Sequence, residues 1–140
     1  MKRCVVDASV VAAAFFREPH AQAARRVLAG GGELHAPDLV WAELGNVVWK
    51  RRRRREIDES EAVELIQDML TLPLTITPTE VLLEAAVRLA MRTGRTVYDS
   101  LYLALAVDQR TRLLTSDRRL VNALGDTPLE RHVKWIGDLD

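Results

Sequence analysis

The sequence predicts an α/β fold in which a parallel sheet is covered by helices on both faces. Short β-branched or aliphatic segments alternate with pairs of longer segments that have helical periodicity and helix start signals. Each helical pair is long enough to cross over and bring the chain back parallel to the preceding strand. Acidic residues follow the first and fourth of these strands, at the edge where open parallel sheets bind ligands.

Length and composition are those of one globular domain. The chain has 140 residues, 48% of them apolar and 29% charged, which is enough for a buried core without disulfides. Lys and Arg together number 20, as do Asp and Glu, so net charge neither favours nor excludes a nucleic-acid partner. Cys4 is the only cysteine, which excludes an internal disulfide and a cysteine-rich metal site and favours a reducing compartment.

The amino terminus imitates a signal peptide, because Lys2 and Arg3 precede an apolar stretch. Asp7 interrupts that stretch, and no small-residue cleavage site separates it from a mature start. No segment has the roughly 20 consecutive apolar residues of a membrane span. We therefore expect a cytoplasmic protein with no membrane partner.

Five short strands are predicted from runs rich in β-branched and aliphatic residues. They cover residues 4–6, 33–36, 74–76, 112–115 and 132–136. Asp7 closes the first strand, and Ser116 and Asp117 follow the fourth. Because the carboxyl ends of parallel strands meet at one edge, we expect Asp7 and Asp117 to lie at the same edge of the sheet.

Capping residues mark where the helices between these strands begin. Ser9 is a candidate cap for the first helix, and Asp38 for a helix over residues 39–49. Asp7, taken alone, is more typical of a residue that merely caps the following helix or belongs to a turn. Thr77 is a candidate cap for the helix after the third strand, whose predicted core stripe consists of Val81, Leu82, Ala85, Ala86 and Leu89. Residues 122–126 are polar and carry no helix prediction.

Two carboxylates fall in the opening turns of predicted helices. Glu43 is the only ionisable residue within the apolar helix 39–49, and Asn46 lies on the same face. Burial of Glu43 would be costly without a partner, whereas a position on the solvent side would need none. Asp99 falls at the start of a further helix, whose predicted buried stripe is Leu101, Tyr102 and Leu105. Asp99 could bind a ligand, or it could serve only in a capping box with Thr96.

The predicted topology allows four acids to meet at one edge of the sheet, namely Asp7, Glu43, Asp99 and Asp117. Like charges at ~4 Å repel by about 1 kcal/mol in water and by more at lower dielectric, so such a cluster needs a proton or a cation. Oxygen ligands without paired His or Cys favour a hard divalent ion, Mg²⁺ or Mn²⁺. The pattern favours phosphoryl transfer or phosphodiester hydrolysis, and the lack of a nucleotide-binding loop argues against a kinase or NTPase.

A run of six cations covers residues 50–55 and is followed by an acidic segment that includes Glu56 and Glu64. A basic block is typical of a phosphate-binding surface. It is also typical of a cationic helix end that is solvated or neutralised by nearby acids. The sequence favours the second interpretation, and the first stays open.

Four separated segments resemble, in order, the motifs of PIN-domain nucleases. They are Val6-Asp7-Ala8-Ser9, Glu43-Leu44-Gly45-Asn46, Tyr98-Asp99-Ser100-Leu101-Tyr102-Leu103-Ala104 and Leu114-Thr115-Ser116-Asp117. Length and motif order are similar to those of the VapC-type toxins of bacterial toxin–antitoxin pairs. The resemblance spans almost the whole chain. It implies a single nuclease domain over residues 1–140, with a three-layer α/β/α fold and a central parallel sheet of about five short strands.

The resemblance also implies an activity, a cofactor and partners. The activity is that of an endoribonuclease, dependent on Mg²⁺ with Mn²⁺ as a substitute, that hydrolyses RNA phosphodiester bonds. The partners are a second copy of the chain in a homodimer and a small, VapB-like cognate antitoxin that holds the toxin inactive.

Residue roles follow from the resemblance by position. The acidic quartet, expected to bind the metal and act in catalysis, is Asp7, Glu43, Asp99 and Asp117, with Asp7 and Asp99 the most direct ligands. Supporting polar positions, expected to orient carboxylates or water, are Ser9, Asn46 and Thr115. Candidate RNA-backbone contacts are Arg51, Arg52, Arg118 and Arg119. Residues 118–122 lack the further acid that some members have there, which leaves a second metal ion undecided.

Alternative functions stay open at this point. One is a housekeeping PIN nuclease that processes RNA or DNA without an antitoxin. Another is a non-catalytic RNA-binding module, against which the presence of all four acids weighs. A phosphoacceptor domain is a weaker alternative, because it would need a second acid next to Asp7.

Overall fold

A fully parallel sheet forms the centre of the fold in the computed structural model, which describes residues 2–139. The strands are β1 (Arg3–Val6), β2 (Glu33–Pro37), β3 (Leu74–Thr77), β4 (Leu113–Thr115) and β5 (Val133–Trp135). Their spatial order is β3-β2-β1-β4-β5, and every neighbouring pair is parallel. The five predicted strands are therefore confirmed, each end within one residue of the prediction.

Helices connect the strands and cover both faces of the sheet. They are α1 (Ala8–Phe15), α2 (Ala21–Ala29), α3 (Leu39–Arg53), α4 (Glu59–Leu70), α5 (Thr79–Thr93), α6 (Val97–Asp108) and α7 (Arg118–Leu124), with 3-10 segments at Glu130–His132 and Ile136–Leu139. The connections through α1 to α4 step across the sheet in one direction, and the connection through α5 and α6 steps back. Because such crossovers are right-handed, the two groups lie on opposite faces, which confirms the three-layer α/β/α prediction.

The strand order reverses between β1 and β4. From β1 the chain moves to β2 and β3 on one side, and then returns past β1 to form β4 and β5 on the other. The register pairs Val6 with Leu114, so the next residues, Asp7 and Thr115, lie side by side. In open α/β sheets a crevice for ligands forms outside the carboxyl ends of the strands at such a reversal.

The core is densest where α6 lies against the sheet. All residues of α6 from 100 to 106 are buried, including the predicted stripe of Leu101, Tyr102 and Leu105. Val5 and Val6 of β1 have no exposed surface. The start of α6, with Asp99, is thus held by a helix that is enclosed on all sides. Within residues 2–139, no helix is long and apolar enough to cross a membrane.

The first helix begins two residues earlier than a cap at Ser9 predicts. Asp7, not Ser9, is the N-cap of α1, because its Oδ1 accepts a hydrogen bond from the backbone N–H of Val10 at 3.2 Å. The prediction of a cap at Ser9 is therefore wrong. The Ser9 side chain is occupied by contacts across the sheet instead.

Asp38 is the N-cap residue of α3, as predicted, but its side chain caps a different helix. It makes no capping hydrogen bond within α3, and its Oδ1 accepts from the backbone N–H of Thr79 at 3.0 Å and from the Thr79 hydroxyl. The N-cap of α5 is Pro78, not Thr77, and its side chain has no acceptor for the first turn of α5. The carboxylate at the end of β2 supplies that acceptor for the helix after β3.

Two further predictions differ from the structure. α7, for which the sequence carried no helix prediction, is a seven-residue helix capped by Asp117.

In α5, Leu82 and Ala86 of the predicted stripe are buried, but Val81 is 70% exposed. The reason is that α5 packs chiefly on α6 and not on the sheet. This leaves an uncovered apolar surface, called here the α5 face, that consists of Val81, Leu83, Val87 and Met91.

We expect Asp38→Ala to lower the free energy of unfolding by about 1 kcal/mol, the usual cost of losing a helix cap. The physical reason is that the first turn of α5 loses its acceptor. Urea denaturation would measure the change. Asp68→Ala, at an exposed position in α4, is the control and should change stability by less than about 0.5 kcal/mol. Equal losses in both variants would contradict the assignment.

Candidate functional site

A chain of polar contacts joins β1 to β4 at the carboxyl edge. The Ser9 hydroxyl donates to Asp7 Oδ1 at 2.5 Å and accepts from the backbone N–H of Ser116 at 2.9 Å. The Ser9 and Thr115 hydroxyls lie 3.4 Å apart, and Thr115 also hydrogen-bonds the Asp7 carboxylate. These contacts fix the orientation of Asp7 at the point where the strand order reverses.

Asp117 lies on the same edge, and one of its carboxylate oxygens caps the first turn of α7. Its Oδ1 accepts from the backbone N–H groups of Arg119 at 3.0 Å and Leu120 at 3.3 Å. Its own N–H donates to Thr115 Oγ1 at 3.1 Å. Asp117 is therefore connected to Asp7 through Thr115, and it also serves the local fold as a cap.

Glu43 projects from α3 towards the same edge and accepts a hydrogen bond from the Tyr102 hydroxyl of α6. Burial raises the pKa of Glu43, and the negative charges of Asp7 and Asp99 raise it further, while the Tyr102 bond lowers it in part. Burial and the Glu43 carboxylate also raise the pKa of Tyr102, so its hydroxyl stays protonated as the donor. Asp7 and Asp99 are thus close enough to Glu43 to repel it electrostatically.

Asp99 lies in the first turn of α6 next to a basic residue. Its backbone N–H donates to the hydroxyl of the N-cap, Thr96, at 3.1 Å. Its carboxylate pairs with Arg95 at 3.3 Å instead of returning to the N-cap backbone. Arg95 Nε is buried and has no hydrogen-bond partner among residues 2–139. The Asp99 carboxylate is therefore free of a capping-box role and is half-buried beside one cation.

The site as a whole is anionic and partly desolvated. Burial raises the pKa of Asp7, and hydrogen bonds from Ser9, Thr115 and the backbone of Val10 lower it in part. Within the described residues, no three His, Cys, Asp or Glu side chains are grouped closely enough to hold a metal ion by themselves.

The remaining predicted site residues differ in how exposed their side chains are and in whether other residues already engage them. Asn46 is exposed, one turn after Glu43. The Arg51 guanidinium is engaged by Glu18 at 2.6 Å and Glu56 at 3.1 Å, and it lies 4.2 Å from the centroid of the Phe16 ring. This agrees with the interpretation of the basic run as self-neutralised at that position.

The other candidate RNA contacts are exposed. Arg52 lies on the solvent side of the end of α3, and Arg119 on that of α7. Arg118 is also exposed, and its guanidinium lies 4.3 Å from the centroid of the Trp135 ring.

Sequence reasoning missed two residues of this edge, Tyr102 and Arg95. Tyr102 was assigned only to the buried stripe of α6, although a buried tyrosine hydroxyl usually requires a partner. Arg95 lies four positions before Asp99, a spacing at which oppositely charged side chains meet on a helix. Both signals were present in the sequence, but the pairing of Tyr102 with Glu43 spans 59 positions and has no local pattern.

The raised pKa values predict how stability depends on pH. The ordinary values for Asp7 and Glu43 are 3.8 and 4.5, and burial raises both in the folded state. These groups therefore stabilise the fold most below those pH values, and the contribution is lost as pH rises through the raised values. In EDTA, we expect Asp7→Asn to have a flatter dependence of unfolding free energy on pH than the wild type between about pH 4 and 8.

Urea denaturation at a series of pH values would measure this slope. Asp108→Asn, at an exposed position near the end of α6, is the control and should keep the wild-type profile. A wild-type slope in Asp7→Asn would refute the prediction.

Comparison with known proteins agrees with this geometry. The PIN domain family matches residues 4–124. Ribonuclease VapC3 of Pyrobaculum aerophilum is 37% identical over 120 residues, which cover 84% of this chain and 92% of that protein. A Pyrobaculum aerophilum protein, PAE2754, has a similar structure at 24% identity and a TM-score of 0.68, with 99% of this chain and 86% of that chain covered. 

A toxin–antitoxin complex from Klebsiella pneumoniae contains a chain of the same fold at 16% identity and a TM-score of 0.60, with coverage of 94% and 95%. The resemblance drawn from the four motifs is thus confirmed by the family match and by the VapC relative. The fold that it implied is confirmed by the structural neighbours. The chain belongs to the PIN-domain family.

Proposed function

We propose that this protein is a metal-dependent endoribonuclease toxin of the VapC type, neutralised by a small antitoxin. The observation that carries the proposal is that burial and, after it, the charges of Asp7 and Asp99 raise the pKa of Glu43 at the edge where the strand order reverses. The name of the VapC3 relative supports ribonuclease activity. The Klebsiella neighbour, a toxin–antitoxin complex, supports the partner.

Mg²⁺, with Mn²⁺ as a substitute, fits the donors of this site. Carboxylate and hydroxyl oxygens are hard ligands, and a divalent cation would relieve the repulsion that raises the pKa of Glu43. The residues that would hold it are Asp7, Glu43, Asp99 and Asp117, with Asp7 and Asp99 the most direct. Mg²⁺ usually keeps several waters, so a closed set of three acids is not required. Such an ion supplies activation of water and stabilisation of charge at the phosphate.

The side chains around the acids would position the reacting groups. Ser9 and Thr115 hold the Asp7 carboxylate, and Tyr102 holds Oε1 of Glu43. We assign Glu43, which Tyr102 holds through Oε1, to orient the attacking water beside the ion. Arg95, paired with Asp99, is placed to contact a phosphate oxygen of bound RNA.

The outer residues would guide the RNA backbone. We assign Asn46 to the orientation of water or a carboxylate, in keeping with its exposed position near Glu43. Arg52, Arg118 and Arg119 are exposed and suit phosphate contacts. Arg51 is the weakest of the four candidates, because two glutamates already engage it.

The proposed function also covers the boundaries of the domain and the cellular compartment of the protein. We assign residues 1–140 to one domain, because β5 lies beyond the family match yet pairs with β4 in the same sheet. A cytoplasmic location suits an enzyme whose substrate is RNA, and the free Cys4 is compatible with it.

We expect Asp7→Asn to reduce RNA cleavage by more than about 100-fold, since even groups that only support metal ligands cost 10–100-fold. Cleavage of a panel of end-labelled RNAs with Mg²⁺ would measure this, and EDTA should abolish the wild-type activity. Asp108→Asn, an exposed acid outside the site, is the matched control. Equal cleavage by Asp7→Asn and wild type would refute the assignment, and a folded wild type that cleaves nothing would favour a non-catalytic module.

Expression in a bacterial host tests the toxin and its partner. We expect the wild type to arrest growth, Asp7→Asn to permit it, and co-expression of a small protein encoded next to this gene to relieve the arrest. A carboxylate-lined groove favours an inserted Arg or Lys of the antitoxin. Purified toxin–antitoxin complex should therefore bind Mg²⁺ more weakly than the toxin alone by isothermal titration. RNA cleavage without growth arrest would instead favour a housekeeping nuclease.

We also propose that two copies associate through the α5 face. Val81 and Met91 are 70% and 74% exposed, and uncovered apolar patches of this kind mark interfaces. We expect the double variant Val81→Asp/Met91→Asp to run as a 15.8 kDa monomer in size-exclusion chromatography with light scattering, and the wild type at twice that mass. The control Val63→Asp/Leu70→Asp, on exposed apolar positions of α4, should remain a dimer. A dimeric α5 variant would contradict this interface.

A further inference from the structure

A second cleft opens at the amino ends of the strands, on the opposite edge of the sheet from Asp7. Its volume is about 1160 Å³, and it lies where β1, β2 and β4 begin and where α2 and α6 end. Apolar side chains such as Val27, Leu34 and Val107 form part of its wall. Since β1 separates Arg3 from Asp7 at about 3.3 Å per residue, the cleft lies roughly 13 Å from the acidic site.

The charged side chains that line this cleft are basic. Five of them have no ion pair within residues 2–139, namely Lys2, Arg110, Arg112, Arg131 and Lys134. Arg3 also lines it but pairs with Glu33 at 3.4 Å, and Arg26 donates to the carbonyl of Leu139 at 3.1 Å. No Asp or Glu of the described residues lines the cleft. In a chain of net charge zero, this is a strong local concentration of positive charge.

Compensation of helix dipoles explains only part of this charge. The carboxyl ends of α2 and α6 point to the cleft and favour nearby cations, which accounts for Arg26 and Arg110. Arg112, Arg131 and Lys134 precede or belong to strands and have no such role. Glu130 and Asp138 line a smaller adjoining hollow together with these three cations, but neither carboxylate forms an ion pair with them.

We propose that this cleft binds a nucleotide through its phosphate groups, with the base against the apolar wall. The nucleotide is either free or part of an RNA strand, since both present the same phosphate and base chemistry. Each guanidinium group can form two hydrogen bonds to phosphate oxygens. The apolar wall would have no role if the ligand were phosphate alone, so we assign it to the base. Burial raises the pKa of the Cys4 thiol, which also lines the cleft, to about 11, so the thiol adds no negative charge. This site goes beyond the proposed nuclease function and does not depend on it.

Isothermal titration in EDTA tests the proposal with two probes, ATP and a 5′-phosphorylated 2′-O-methyl RNA of eight nucleotides, which resists cleavage. The test variant is Arg112→Ser/Arg131→Ser. The matched control is Arg88→Ser/Arg92→Ser, which removes two exposed arginines of α5, far from the cleft in sequence and topology. Circular dichroism checks folding, and Arg131→Ser alone replaces the double variant if that does not fold.

We expect the cleft variant to weaken binding at least about 10-fold and the control to change it less than about 2-fold. Asp7→Asn should bind ATP like the wild type, which separates this site from the nuclease site, where RNA is also proposed to bind. If ATP binds as tightly as RNA, the ligand of the cleft is a free nucleotide. If only RNA binds, the ligand is part of an RNA strand. The proposal is overturned if neither probe binds folded wild type at millimolar concentration, or if the cleft variant binds like the wild type.

Discussion

The pairing of β1 with β4 is the constraint on which the site depends. The chain must leave β1 on one side and return past it before β4 can join on the other. The register that pairs Val6 with Leu114 then sets Asp7 beside Thr115, and Ser9 bonds across to Ser116. A slip of one residue would turn each side chain to the other face of the sheet and break this connection. The geometry of the acids is therefore a property of strand register.

Partial burial raises the proton affinity of the acids and lowers the stability of the fold when they are charged. Burial raises the pKa of both Asp7 and Glu43, so their charged forms are disfavoured in the folded protein. Hydrogen bonds from Ser9 and Tyr102 offset part of that cost and fix the carboxylates in place. The enclosed helix α6 supplies the rigid support for Tyr102 and for Asp99 at its start. A cation bound there, as the proposed function requires, would complete the charge balance of the site.

The sheet separates two regions of opposite charge. Its carboxyl edge carries acids with Arg95 as a nearby cation, and its amino edge carries the basic cleft. The net charge of zero sums all 20 basic and 20 acidic residues of the chain, so it says nothing about either region. Because the short strands keep the regions roughly 13 Å apart, each acts on ligands through its own local potential.

The sequence by itself determined the strands, most of the helices and the identities of the acids, because periodicity, capping chemistry and motif order are local properties. It placed the first helix cap at Ser9 in place of Asp7, and it put Asp38 correctly at the start of α3 without showing that its side chain bonds Thr79 of α5. The reason is that a short polar side chain bonds whichever donor the tertiary structure brings near. Only the tertiary structure decided the strand order, the Tyr102–Glu43 bond, the α5 face and the basic cleft. The strand order, the Tyr102–Glu43 bond and the basic cleft join segments far apart in the chain, as the hydroxyls of Ser9 and Thr115 do over 106 positions, and no local pattern encodes such contacts.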